Sequence, residues 1–302
     1  MTEVCATIWN APHNDPTVRA VLDRVRPQIA QLHVDPLVLE ARGPTATANL
    51  RLWYPGMRVW WGVPGDGHGP DPTPLWLRAV AAAARANVDV VVLDCEGRWK
   101  DRPGAADIAR GAVAQLHDKH PSVKLGFTSY DTIEAVGYKD AQGKQRFWGG
   151  HSTFPWKAFL GPESPIALHF PQVYAAGSGT APKGALQTRD RRSRQSLDRA
   201  IVKHTIRAPG EGLSWQVHLQ AHHTPTDDLV AVARGYKIAC FWATPTRCDE
   251  AGIAAMELLA REHDAMVAGK AVGAAVVYLG PEVECDDDID CHPESTTVGE
   301  HC

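Results

Sequence analysis

The sequence predicts a single (β/α)8 barrel over residues 1–280, followed by a short acidic tail at 281–302. Three observations lead there. Apolar β-type runs and helical patterns alternate along the whole chain, the runs number eight, and no glycine-rich phosphate loop follows the first of them, where Trp9-Asn10-Ala11-Pro12 stands instead. Strands alternating with helices build a parallel sheet with crossover helices. Eight repeats close that sheet, and the missing dinucleotide loop argues against a doubly wound open sheet.

The predicted strands are 4–9, 37–39, 58–63, 88–93, 123–128, 166–174, 213–219 and 237–242, all short and mostly apolar. The first predicted helix, 15–31, repeats Val18, Val21, Leu22, Val25 and Ile29 at helical spacing. Helices follow at 74–86, which is Ala-rich, at 105–120 with Ile108, Val113 and Leu116, and at 193–206, 227–235 and 250–267. Less regular helical stretches near 45–52 and 156–160 complete the second and fifth repeats. A further apolar run at 272–279 reads as a strand packed outside the barrel.

Bulk properties narrow the function classes. With 44% hydrophobic and 22% charged residues the composition is that of an ordinary globular protein. No run of about 18 apolar residues is present, so no membrane association is expected, and the opening MTEVCATIWNAPHNDP has neither the basic start nor the apolar core of a secretory leader, which predicts cytoplasmic synthesis. Eight of the 35 acidic side chains fall in the tail, which has no Lys or Arg, leaving a mildly basic body. That asymmetry fits either an anionic polymer or a protein assembly partner docking through the tail, or else a solvated tail with no partner. Nucleic acid is not an expected partner. Cys5, Cys95 and Cys240 lie in apolar runs and read as small core residues. Cys285, Cys291 and Cys302 have no zinc-type spacing, and a disulfide among them after export is one outcome for the tail.

In such a barrel the reactive groups stand at the C-terminal strand ends. The fourth strand ends Leu93-Asp94-Cys95-Glu96. Because strand side chains alternate faces, Asp94 and Glu96 point one way and Cys95 the other. Two carboxylates so close cannot both ionise freely, and an acid kept protonated beside an ionised one is the apparatus of glycosidic bond cleavage. The bland alternative is that both cap loops by binding backbone amides. The sixth strand ends with Gln172 and Tyr174 on one face. The seventh, from Trp215 to His222, turns Gln216, His218, Gln220 and His222 inward, where Gln216 fits either a core hydrogen-bond network or a site role, and His218 and Gln220, nearer the mouth, fit a site role. Trp242 ends the eighth, Tyr130 the fifth, and Asp66 and His68 sit in the polar loop after the third. Of the ten Trp residues, Trp60, Trp61, Trp99, Trp148 and Trp156 fall in or near predicted mouth loops, with ordinary packing as the other reading for most of them.

A D-x-E ending strand four, a Gln-x-Tyr ending strand six and a Trp ending strand eight together resemble the barrel glycosidases of the family 18 chitinase and family 25 lysozyme types. The resemblance implies hydrolysis of a β-linked N-acetylated polysaccharide such as peptidoglycan or chitin, with no cofactor or metal. It implies Glu96 as general acid and Asp94 orienting the substrate acetamido group, which Tyr174 steadies. Gln172, Tyr130, Trp242, His218, Gln220 and Asp66 would then contact substrate. Two departures stand out: Val92 replaces the further Asp of family 18, and Trp9-Asn10 replaces the strand-one Asp of family 25. By analogy, a leaderless barrel of this kind suits a phage or phage-tail-like lysin. Two rival readings use the same residues: a metal-dependent hydrolase built on Asp94, Glu96, His218 and His222, and a non-catalytic glycan-binding or structural barrel in a larger particle, docked through the tail or the cluster Arg189-Arg191-Arg192-Arg194.

Overall fold

The computed structural model describes residues 1–268 apart from 67, 68, 70, 140, 141, 176–179 and 245–247. His68, the run at 272–279 and the tail with its three cysteines lie outside the described residues.

The strands β1 (Glu3–Trp9), β2 (Ile29–His33), β3 (Arg58–Pro64), β4 (Val90–Asp94) and β5 (Lys124–Tyr130) alternate with the helices α1 (Pro16–Val25), α2 (Pro36–Trp53), α3 (Thr73–Arg85) and α4 (Ala105–Lys119). A hairpin of β6 (Val136–Lys139) and β7 (Gln145–Trp148) follows, then α5 (Trp156–Leu160), β8 (Ile166–Val173) and α6 (Ala185–His204). The chain continues through β9 (Ser214–Trp215), β10 (Val217–Gln220), α7 (Thr226–Ala233), β11 (Ile238–Thr244) and α8 (Glu250–Val267). All pairings in the large sheet are parallel, in the order β10-β11-β1-β2-β3-β4-β5-β8-β9, and β10 also pairs with β8. That last pairing closes an eight-stranded barrel whose seventh strand is the broken unit β9–β10. Gln216 fills the break: its amide donates to Ser214 Oγ at 2.6 Å and its carbonyl accepts from the Ile238 amide at 2.6 Å. It therefore serves the core network rather than the site.

Strand alternation sorts the side chains into two cores. Val4, Ala6, Ile8, Val91, Leu93 and Cys95 face outward against the helices. Cys5, Ile29, Trp60, Val90, Val92, Phe170 and Cys240 fill the barrel interior as a separate apolar plug. Toward the C-terminal ends the interior turns polar, with Thr7, Gln31, His33, Asp94, Thr128, Gln172 and His218 all buried.

The second strand corrects the expectation. Residues 37–39 open α2, where Asp35 caps the Leu37 amide and Pro36 occupies the first turn. The strand is Ile29–His33, which the sequence pattern draws into the first helix because Ile29 continues its apolar spacing. Pro27 disfavours that continuation, and Arg26 ends α1 in a left-handed conformation at φ 52°. Helix α2 also runs the full 36–53, through Pro44. Helix α6 begins at Ala185, not near 193, so the arginine cluster is helical rather than a loop. Arg194 binds Asp190 and lies over the Tyr236 ring at 4.4 Å. Trp60, Trp61, Trp99 and Trp156 are core residues, none more than 2% exposed, rather than mouth residues.

Candidate active site

At the C-terminal end of the barrel lies a cavity of about 500 Å³ lined by the ends of β1, β4, β5, β8 and β11. Asp94 and Glu96 project into it, while Cys95 between them is fully buried in the outer core. Gln172 from β8 ties the acids together. Its Nε2 donates to Asp94 Oδ1 at 3.1 Å and to Glu96 Oε1 at 2.7 Å. One amide nitrogen thus serves two carboxylates, an arrangement that leaves room for a proton on one of them.

The electrostatics point the same way. Burial, and then the charges of Glu96 and Asp66, push the Asp94 carboxyl well above its ordinary value, against the lowering effect of the Gln172 amide. Burial raises Glu96 as well, with Gln172 again opposing and Asp66 adding to the rise. Tyr174 and Tyr130 are both pushed up by burial and by nearby carboxylates, so their phenols stay protonated and can donate.

Rings flank the acids on two sides. Trp242 meets Trp9 at 5.6 Å edge-on and Tyr174 at 5.8 Å, forming one wall. On the other, Tyr130 lies flat against His151, with centroids 3.6 Å apart and planes within 7°. The floor on that side is held by Asp131, which takes two bonds from Arg189 at 2.5 and 3.1 Å.

Six of the residues expected from sequence, Asp94, Glu96, Gln172, Tyr174, Tyr130 and Trp242, line this single cavity. Three do not. His218 is buried beneath it, with Nδ1 3.3 Å from the Thr128 hydroxyl. Gln220 pairs with His222 at 2.7 Å. Asp66 sits behind the turn after β4, where burial raises its carboxyl and the amides of Glu96, Gly97 and Arg98 act to lower it. No group of three or more His, Cys, Asp or Glu side chains suited to a metal is found among the described residues. Sequence reasoning missed Trp9, Asp131, Thr132, His151 and Arg189. Trp9 carried a usable signal, being the last residue of the first strand and on the same face as Cys5 and Thr7. The segment 149–151 follows a hairpin whose position the sequence did not reveal.

Fold and site together define a (β/α)8 barrel with a buried and a half-buried acid side by side at the C-terminal ends of its strands. The protein is similar in structure to the catalytic domain of a chitinase from Pyrococcus furiosus, with a TM-score of 0.56 at 12% identity over 87% of this chain and 96% of that one. A GH18 chitinase from Cycas revoluta in complex with (GlcNAc)3 gives 0.55 at 9% identity over 85% and 99%. At these identities the likeness is one of fold. It does not support the family 25 lysozyme side of the sequence resemblance. No protein-family model matches the sequence, and no curated protein has a significantly similar one.

Proposed function

We propose that the protein is a glycoside hydrolase acting on a β-linked N-acetylated glycan of the chitin or peptidoglycan type. The observation that carries this reading is the pair Asp94 and Glu96, desolvated, sharing the Gln172 amide, and set between aromatic walls in an open cavity. A carboxyl raised by burial holds its proton to higher pH than an ordinary one and can deliver it to a leaving glycosidic oxygen. Glu96, the less buried of the two, takes that role. Asp94, deeper and fixed by Gln172, orients the acetamido group of the sugar for attack on the anomeric carbon, with the Tyr174 hydroxyl steadying it. Trp242 and Trp9 offer flat apolar faces to the pyranose rings. The similarly folded Cycas revoluta chitinase, in complex with (GlcNAc)3, supports this substrate class by analogy of fold.

The test is reducing-sugar release from chito-oligosaccharides and from peptidoglycan, wild type against Glu96→Gln. Activity on either substrate, lowered at least 100-fold by the substitution, is expected from loss of a general acid. A wild type inactive on both would overturn the reading. A non-catalytic glycan-binding barrel is the second reading, and one observation favours it: Val92 packs into the apolar plug where family 18 enzymes carry a further Asp. Oligosaccharide binding without turnover would identify that case. Release from a phage-like particle, with the tail as its docking segment, belongs to the same proposal.

A further inference from the structure

The cavity has two electrical ends. At one stand Asp94 and Glu96, with Asp66 close enough to act on both. The other is built where β5 gives way to Asp131 and α6 passes across it. Ser193 Oγ donates to the Asp131 carbonyl at 2.7 Å. Arg189, one turn earlier on α6, donates to the carboxylate through Nε and Nη2 at 2.5 and 3.1 Å. Two bonds from one planar fork fix the guanidinium in place. The pair is neutral in sum, but its two charges are unequally presented: the Asp131 side chain is 4% exposed and that of Arg189 26%. Both line the cavity, so the charge a ligand meets at this end is the cation.

We propose that the Arg189 end of the cavity is a subsite for a carboxylate carried by a sugar ring, so that the glycan this protein takes is an acidic one. The inference rests on the glycoside hydrolase reading and deepens it by naming the charge of the substrate. Two of the five guanidinium donors go to Asp131, and the planar fork matches a carboxylate better than it matches a hydroxyl. His151 reports the local field. Burial does most to hold its imidazole below the ordinary value, the Lys100 charge adds to that, Asp131 opposes it, and Arg189 lowers it again. Two cations thus act against one carboxylate at that ring. Lys100 is half-buried and closes the short helical turn after β4. The Tyr130–His151 stack joins the two ends, because Tyr130 feels Glu96 and Asp66 while His151 feels Arg189 and Lys100. A sugar lying along that stack places its glycosidic oxygen at the acids and a substituent at Arg189. Laid the other way round, the same carboxylate would meet Asp94, Glu96 and Asp66, so the charge also sets the direction of the chain.

The experiment is titration calorimetry, with reducing-sugar release alongside, on three β-linked tetrasaccharides. One is neutral, built of N-acetylglucosamine alone. The others alternate it with N-acetylmuramic acid or with glucuronic acid, which carry the carboxylate on a lactyl ether and on the ring respectively, so the tighter of the two tells the source. At low ionic strength the wild type should bind at least one acidic probe about tenfold more tightly than the neutral one, and that ratio should shrink as salt is added. In the double variant Asp131→Asn with Arg189→Gln, amides replace the ion pair without stranding a buried charge, and the ratio should fall close to one. Lys100→Gln should lower it part of the way. A ratio taken within each protein cancels any general loss of packing, and the wild-type ratio decides the matter even where a variant fails to fold. Equal affinity for neutral and acidic probes in the wild type, or a preference undiminished in the double variant, would overturn the subsite. If all three probes are bound and cleaved alike, the hydrolase reading stands and the subsite fails. If an acidic probe is preferred but nothing is cleaved, the subsite stands and the hydrolase reading fails. Absence of binding by all three would remove both.

Discussion

Replacing Gln172 by Leu removes one amide donor and leaves the volume of the side chain nearly unchanged. In the wild type that amide gives one bond to each of two carboxylates, at 3.1 and 2.7 Å. Only one carboxylate needs to be ionised at a time, so one charge-assisted bond is lost in effect, at a cost of about 1.5–3 kcal/mol. The corresponding rise in the acid midpoint of the pair is about 1–2 pH units. The sign follows from the direction of the shifts. Both carboxyls already sit above their unfolded values, so ionising them disfavours the fold as pH rises, and Gln172 opposes that penalty. The variant should therefore lose stability at neutral pH and approach the wild type at pH 4 or below, where both states hold their protons. For a barrel of this size the loss at pH 7 should appear as a fall in Tm of about 2–5 °C. Thermal unfolding across pH 4–8 measures it without any substrate. A fall of equal size at pH 4 and pH 7 would refute the reasoning, because it would show a packing defect rather than a lost donor.

Other consequences can be checked in the same way. His169 is fully buried on the outer face of β8, stacked on Phe127 at 5.6 Å, and burial lowers it to about 3. It stays neutral when folded and gains a proton when unfolded below about pH 6.5, so stability drains away as pH falls from there toward 3. His169→Phe should move the acid-unfolding midpoint to lower pH, and an unmoved midpoint would count against this origin of acid lability. Gly62→Ala should cost about 1–3 kcal/mol in urea unfolding by crowding Gln31 and His33; a neutral result would mean the β2 side chains can move aside. Arg189→Met leaves the buried Asp131 without its forked partner and should cost about 3 kcal/mol, reduced somewhat by the partial exposure of Arg189. It should also raise KM for any glycan substrate, and an unchanged KM would show that the Asp131 side of the cavity stays empty.

The legibility of the fold followed the strength of each local pattern. Residues 90–96 were transparent because a wholly apolar strand ending in two carboxylates admits one facing, and the structure turns both acids inward and Cys95 outward. Residues 29–33 were opaque. IAQLH carries two polar residues into the barrel interior, which breaks the apolar signature of a buried strand and hides His33 with it. The tryptophans follow the packing reading rather than the mouth reading: Trp60 and Trp61 face opposite sides of β3, one into the barrel plug and one into the outer core. Gln172 was placed on the right face by alternation alone, yet its two bonds to the acids depend on how closely β8 approaches β4 across the barrel. That distance is a property of closure, and no local sequence pattern encodes it.

The apolar plug below the acids has a consequence for traffic. With Trp60, Val92 and Phe170 filling the lower half of the barrel, nothing travels along its axis, and the mouth is both entrance and exit. A water molecule bound for the reaction centre must come in past whatever occupies the cup. In a hydrolytic cycle the departing fragment would have to clear that doorway before the water could take its place, which makes the order of departure and entry a matter of architecture.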